Sequence, residues 1–209
     1  MADVNEMFSK VTEEQSFFNA SEKKEFTPFA EGEYLTHIIE ADSDLKDVLN
    51  GKYKARLYSF VVQVAEENKD EDFEYEDING KLKPTKGSKY IGKKFRGKVW
   101  RFLEPQKGDT FESNAGGNKA YLWFCQNIGI GCPTESKTID GKKVEVQLLP
   151  KLSADDMLGQ PVVAFVAKGK PFKDAKGQTR QYWECKFCKK WEDGKRKKIT
   201  AGGKDEIPF

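Results

Sequence analysis

Residues 90–103, Tyr-Ile-Gly-Lys-Lys-Phe-Arg-Gly-Lys-Val-Trp-Arg-Phe-Leu, hold the most definite chemistry in the sequence. Along an extended strand side chains alternate between faces, so Ile91, Phe95, Val99 and Leu103 fall on one side and Lys94, Arg96, Lys98 and Trp100 on the other. The first face suits a core. The second interleaves cations with a large flat ring, the combination that grips a nucleic-acid strand through charge for phosphates and a π surface for bases. Residues 78–103 contain no Asp or Glu but nine Lys and Arg, whereas residues 66–77 hold eight acids and one lysine. A merely solvated strand would mix its signs and have no use for Trp100. Gly87 to Lys94 comes close to a phosphate-cradling loop, but Lys94 stands where Ser or Thr is required and a strand follows instead of a helix.

The other reactive groups say less. Cys125, Cys132, Cys185 and Cys188 are candidates for a zinc site, and Cys185-Lys-Phe-Cys188 has knuckle spacing. However, residues 181–191 read as a strand without a turn glycine, and positions three apart on a strand face opposite ways. Reduced, partly buried thiols and no metal are expected. The acidic block lacks the glycine that a calcium loop needs at its bend. It reads as a solvated excursion from a hairpin that turns at Asn79-Gly80, with a charge suited to competing for the basic face. Glu184-Cys-Lys186 resembles the acid-x-Lys end of a nuclease strand pair, so a metal-dependent nuclease is the competing class, and an RNA-binding or zinc-ribbon module the third. No Pro-Asp precedes it, and the sole histidine, His37, lies in an apolar strand and reads as structural. No catalytic residue is assigned, and the chain is read as a binding protein.

The elements that must position the basic strand follow from pattern. The 209 residues are 37% hydrophobic and 33% charged, with a net charge of +2, which suits one domain with insertions or arms. No apolar run is long enough to span a bilayer and no apolar signal region opens the chain, so a cytosolic location is expected, with no membrane partner. Residues 1–30 read as an arm, in which Val4, Phe8 and Val11 allow a short helix. Its phenylalanines (Phe8, Phe17, Phe18, Phe26, Phe29) are expected to pack on the domain or on a neighbouring subunit, the second option being self-association, with base stacking as the lesser alternative. Strand one runs from Glu31 to about Ala41, and strand two over residues 53–65 with Tyr58, Phe60, Val62 and Val64 turned to the core. Strand three is the basic one. Asn118 caps a helix reaching about Ile128, with Tyr121, Leu122, Cys125 and Ile128 as its apolar stripe and Gly129 and Gly131 stopping it. An elaborated connection (residues 130–158), strand four (residues 161–168), a basic loop (Gly169–Thr179) and strand five (residues 180–191) complete the order.

Five strands with one helix between the third and fourth predict a mainly β protein, an OB-fold barrel over residues 31–192 with a charged insertion at 66–89. In that fold the ligand lies across strands two and three, between the one-to-two and four-to-five loops. The contact set expected for an unpaired nucleic-acid strand is Tyr34, Arg56, Lys94, Arg96, Lys98, Trp100, Lys170, Phe172, Lys173 and Tyr182.

Residues 193–209 read as a flexible tail, with Gly202-Gly203 ahead of Asp205-Glu206-Ile207-Pro208-Phe209. Phe209 combines a ring with the terminal carboxylate, a compact unit for a greasy pocket beside Arg or Lys. This acid-acid-Ile-Pro-Phe tip resembles that of bacterial single-stranded DNA-binding proteins, in which it recruits replication and repair partners. The Gly32-x-Tyr34 opening, the apolar second strand, Gly92-Lys-Lys-x-x-Gly-Lys-Val-Trp100 and the helix ending in Gly129-x-Gly131 resemble phage-encoded single-stranded DNA-binding proteins over residues 30–190. The resemblance implies sequence-independent coating of single-stranded DNA in replication or recombination within a bacterial cytoplasm. It also implies host replication or repair proteins at the tip, and no cofactor.

Overall fold

A computed structural model describes residues 28–48, 53–103, 115–139 and 141–199. The elements are β1 (Gly32–Val48), β2 (Tyr53–Val64), β3 (Asp72–Glu76), β4 (Leu82–Lys86), β5 (Lys94–Phe102), α1 (Ala115–Asn127), β6 (Thr134–Ile139), β7 (Lys142–Gln147), α2 (Ala154–Met157), β8 (Pro161–Lys168), β9 (Phe172–Lys173), β10 (Thr179–Arg180) and β11 (Trp183–Lys190). Five strands close a barrel in the order β1-β2-β5-β11-β8 and back to β1. All neighbours are antiparallel except β5 and β11, which run parallel. The chain is therefore mainly β around one closed barrel. Among the described residues no helix is long and apolar enough to cross a membrane.

Alternation builds the core. Tyr58, Phe60, Val62 and Val64 are buried, as their spacing predicts, and meet Tyr34, Ile38, Phe95, Val99, Val162, Ala164 and Val166. A register shift at Ile39 inserts one residue into β1, so Glu40 comes opposite Val61 and the strand bends on to Val48, well past Ala41. Helix α1 adds its apolar side to this core: Tyr121 stacks on Tyr58 at 5.1 Å and Phe124 on Phe60 at 5.0 Å between ring centroids. Each such buried side chain contributes about 1.5–3 kcal/mol. Asn118 is not a cap but lies within the helix, where its Oδ1 accepts from Phe102 N at 2.9 Å and ties α1 to the end of β5.

Several expected boundaries are corrected. The third strand starts at Lys94, because residues 87–89 form a tight turn and Gly92 takes a left-handed φ of +76°. Leu103 lies beyond the strand and is exposed, not core. The charged insertion is more than a solvated excursion. It forms the β3–β4 ribbon, with Asp72, Glu74 and Glu76 outward and Phe73 and Tyr75 half-buried, and Phe73 stacks on Tyr34 at 4.5 Å. Asn68 anchors its start, accepting from Leu35 N at 2.9 Å and donating to Leu35 O at 2.7 Å. Residues 134–147 of the expected connection form the β6–β7 ribbon.

Both ends of the domain extend further than expected. Phe29, assigned to the arm, packs edge-on against Phe95 at 5.1 Å and against Trp183 at 5.9 Å, and Ala30 is buried. Residues 193–199, assigned to a flexible tail, are docked. Lys197 N donates to Gly159 O at 2.9 Å, Arg196 Nε to Leu158 O at 3.1 Å, and the His37 ring hydrogen-bonds Lys195 O at 3.0 Å. Gly159 has φ +76°, and a Cβ there would stand 2.0 Å from Lys197 O. The rest of the expected arm, residues 1–27, and the tip, residues 205–209, lie outside the described residues.

Candidate nucleic-acid interface

Antiparallel pairing of β2 with β5 places directly opposed residues on the same face. Lys94 stands opposite Gln63, Arg96 opposite Val61, Lys98 opposite Ser59 and Trp100 opposite Leu57. The three cations are exposed and Trp100 is half-buried, while the intervening Phe95, Gly97 and Val99 are buried. The four side chains thus form one outward row on the third barrel strand. Trp100, half-buried, leaves part of its ring to solvent.

Two of the four, Arg96 and Lys98, line a groove of about 720 Å³ that runs over four strands, from Glu40 and Asp42 on β1 past Ser59 and Val61 on β2 to Glu184 and Lys186 on β11. A stretch free of acids in sequence therefore has acids beside it in space, supplied by other strands. Lys94 lies 4.0 Å from Glu40, and Glu184 pairs with Lys186 at 2.5 Å. Among the described residues, Arg96 and Lys98 make no ion pair within 4.0 Å, so their charges face the groove unpaired. Sequence reasoning missed Ser59, Val61, Glu40 and Asp42 because groove membership depends on strand neighbours, which no local pattern encodes.

The connection from β8 to β11 contributes a second aromatic surface. Phe172 and Tyr182 are 43% and 65% exposed, with ring centroids 5.2 Å apart. Isolated exposed rings are ordinary on protein surfaces, but two held together form a platform. Asp174 stiffens the β9–β10 turn: its carboxylate accepts from Arg180 Nε, Lys176 N and Gln178 N, each at 2.9 Å. The Arg180 guanidinium, followed by the Gln178 amide, holds this carboxyl below the usual aspartate range. Lys170 and Lys173 are exposed on the same connection. It enters β11 at Trp183, the end of β11 that lies beside the start of β5, since Glu184 pairs in parallel with Arg96.

Two predicted contacts are corrected. Tyr34 is wholly buried, stacked on Phe73 and donating its hydroxyl to Ala30 O at 2.8 Å, so no base reaches it. Arg56 stands opposite Arg101, on the other face of the sheet from Trp100, and its Nη1 donates to Ser43 Oγ at 3.4 Å. Leu57 occupies the position beside Trp100 instead.

The cysteine geometry also differs from expectation. A register shift between Cys185 and Phe187 inserts Lys186 as an extra residue, which returns Cys188 to the same inward face as Cys185. Their sulfurs lie 3.7 Å apart in the core. All four cysteines are free thiols, and among the described residues no three His, Cys, Asp or Glu side chains converge as a metal site. Burial pushes the Cys125 thiol up to about 12. Comparison with protein-family models, curated proteins and solved structures found no match.

Proposed function

We propose that this chain is a single-stranded DNA-binding protein that coats unpaired strands without reading sequence. The observation that carries the reading is the outward row Lys94, Arg96, Lys98 and Trp100, set on a barrel wall that a ring pair flanks at one end. Phosphates would displace counterions along the cations, and bases would stack on Trp100, Phe172 and Tyr182. Each stacked base is worth roughly 1–3 kcal/mol, so two good platforms outweigh several screened phosphate contacts at moderate salt. The strand order, with its parallel third and fifth barrel strands and a helix between the third and fourth, supports the finer reading as an OB-fold.

The proposal extends to a phage replication or recombination protein acting in a bacterial cytoplasm, with the Asp205–Phe209 tip as a hook for host replication or repair proteins. It rests there on sequence resemblance alone. The test is a competition titration of labelled single-stranded DNA against unlabelled single-stranded DNA, duplex DNA and RNA, with a parallel incubation in Mg²⁺. Displacement chiefly by single-stranded DNA, without cleavage, is expected. Preferential displacement by RNA overturns the choice of ligand, and cleavage replaces the binding reading with the nuclease.

A further inference from the structure

We propose that Cys185 and Cys188 form a reversible redox latch at the thinnest seam of the barrel, a pair of thiols that becomes an internal disulfide and loosens the DNA groove. The effect on DNA rests on the binding function proposed above; the latch itself does not. Three observations combine. The two sulfurs lie 3.7 Å apart, on the same side of β11 because of the bulge at Lys186. Both thiols are buried, but Cys185 borders the groove and Cys188 does not, so a reagent that enters through the seam reaches Cys185 before Cys188. Finally, β11 pairs with β5 through only two positions, Glu184 with Arg96 and Cys185 with Gly97, whereas β2 pairs with β5 along the strand from Ala55 to Gln63. A pull on Cys185 therefore acts directly on the weakest closure of the barrel, one residue from Arg96.

The chemistry is thiol–disulfide exchange with a low-molecular-weight disulfide as oxidant. Cys185 loses its proton and attacks one sulfur of the reagent; a mixed disulfide forms, the reagent's own S–S bond breaks and one small thiol leaves. Cys188 then loses its proton and attacks the Cys185 sulfur, and a second small thiol leaves. The protein gives up two hydrogens and two electrons, and the reagent takes both. The approach of Cys185 and burial together push the Cys188 thiol well up, which makes the second step the slow one. A disulfide needs its sulfurs about 2.05 Å apart. The core around Cys188 is close-packed, so the movement falls on residues 184–187, where the bulge already deforms the strand. Cys185 is drawn away from Gly97, and Arg96 loses its neighbour.

The test treats the full-length protein with oxidised glutathione. Intact mass and peptide mapping report the bridge, amide exchange reports the seam, and a single-stranded DNA titration reports the groove. Loss of two hydrogens mapped to Cys185–Cys188 is expected. Amides of residues 96–98 and 184–186 should exchange faster, and DNA affinity should fall about tenfold, the worth of one charge-assisted contact. Dithiothreitol should restore all three in the wild type; Cys188→Ser should stop at the mixed disulfide on Cys185, and Cys185→Ser should form no bridge. A bridge elsewhere, no bridge, or a bridge that leaves exchange and affinity unchanged overturns the latch. A bridge that speeds exchange in a protein that binds no DNA in either state upholds the latch and overturns the proposed function.

Discussion

Tyr34 sits wholly inside the barrel, with its ring on Phe73 and its hydroxyl on Ala30 O, and burial pushes the phenol well above its ordinary pKa. Tyr34→Phe removes one buried hydrogen bond and should cost about 1 kcal/mol in chemical denaturation while leaving DNA affinity unchanged. Weaker binding without destabilisation would return Tyr34 to the interface. The contrast with Trp100 shows what single positions disclose in sequence. Lys94 to Trp100 alternates strictly between polar and apolar, so its outward side could be read directly. Gly32-Glu-Tyr-Leu has apolar residues at two adjacent positions, and nothing local says which one turns inward. Around Arg56 the neighbours Ala55 and Leu57 give no alternation either, so the face of the arginine is not legible from sequence. The Cys185 and Cys188 faces were misjudged for a different reason: a bulge adds one residue to the count and leaves no mark in the sequence.

At the scale of the element, β5 carries both the groove and a packing constraint. Gly97 faces inward above Phe60, and a Cβ there would stand 2.4 Å from the Phe60 ring, which itself stacks on Phe124. Gly97→Ala should therefore destabilise the protein by about 1–3 kcal/mol, as overpacking of a close-packed core does, and should displace the strand that carries Arg96 and Lys98. A thermal or denaturant melt together with a DNA titration would check this. An unchanged midpoint would mean that Phe60 moves aside without cost. Elements with strong alternation or a clear apolar stripe were legible, among them β2, β8 and α1. The β3–β4 ribbon was half legible. Its acids were plain, but the packing of Phe73 and Tyr75 beneath them depends on a barrel that the segment itself does not encode. The β6–β7 ribbon, with Thr134–Ser136 opposite Glu145–Gln147 and little burial on either face, offered no hydrophobic period to read.

For the molecule as a whole, residues 195–197 form a root docked against the barrel through Gly159, Leu158 and His37. His37 holds that root: it is buried, its ring lies edge-on to Trp191 at 5.2 Å, and its Nε2 meets Lys195 O. Burial comes first among the causes that lower its pKa, so the neutral ring is the folded form, with Nε2–H as donor. A histidine whose folded pKa is depressed contributes stability in full above its unfolded value, about 6.5, and loses it as pH falls toward the folded value. Protection of the Lys197 amide, corrected for intrinsic exchange, should therefore decline below about pH 6.5. Protection that holds down to the range of the carboxylates would show that the root stays docked without the neutral ring. Deleting residues 205–209 should leave DNA affinity unchanged or raised, since the carboxylates of Asp205 and Glu206 no longer compete for the basic wall. It should also abolish capture of a host replication or repair protein. Retained capture would remove the hook from the account.

The central claim is that the outward face of β5 grips an unpaired strand, with cations for phosphates and a ring for bases. Titrating labelled single-stranded DNA over a series of salt concentrations, with wild type, Lys98→Ala and Trp100→Ala side by side, tests it most directly. Lys98→Ala should reduce the slope of log affinity against log salt by about one, whereas Trp100→Ala should weaken binding by roughly 1–3 kcal/mol at every salt and leave the slope intact. Two folded variants that bind as the wild type does, with the same slope, would contradict it.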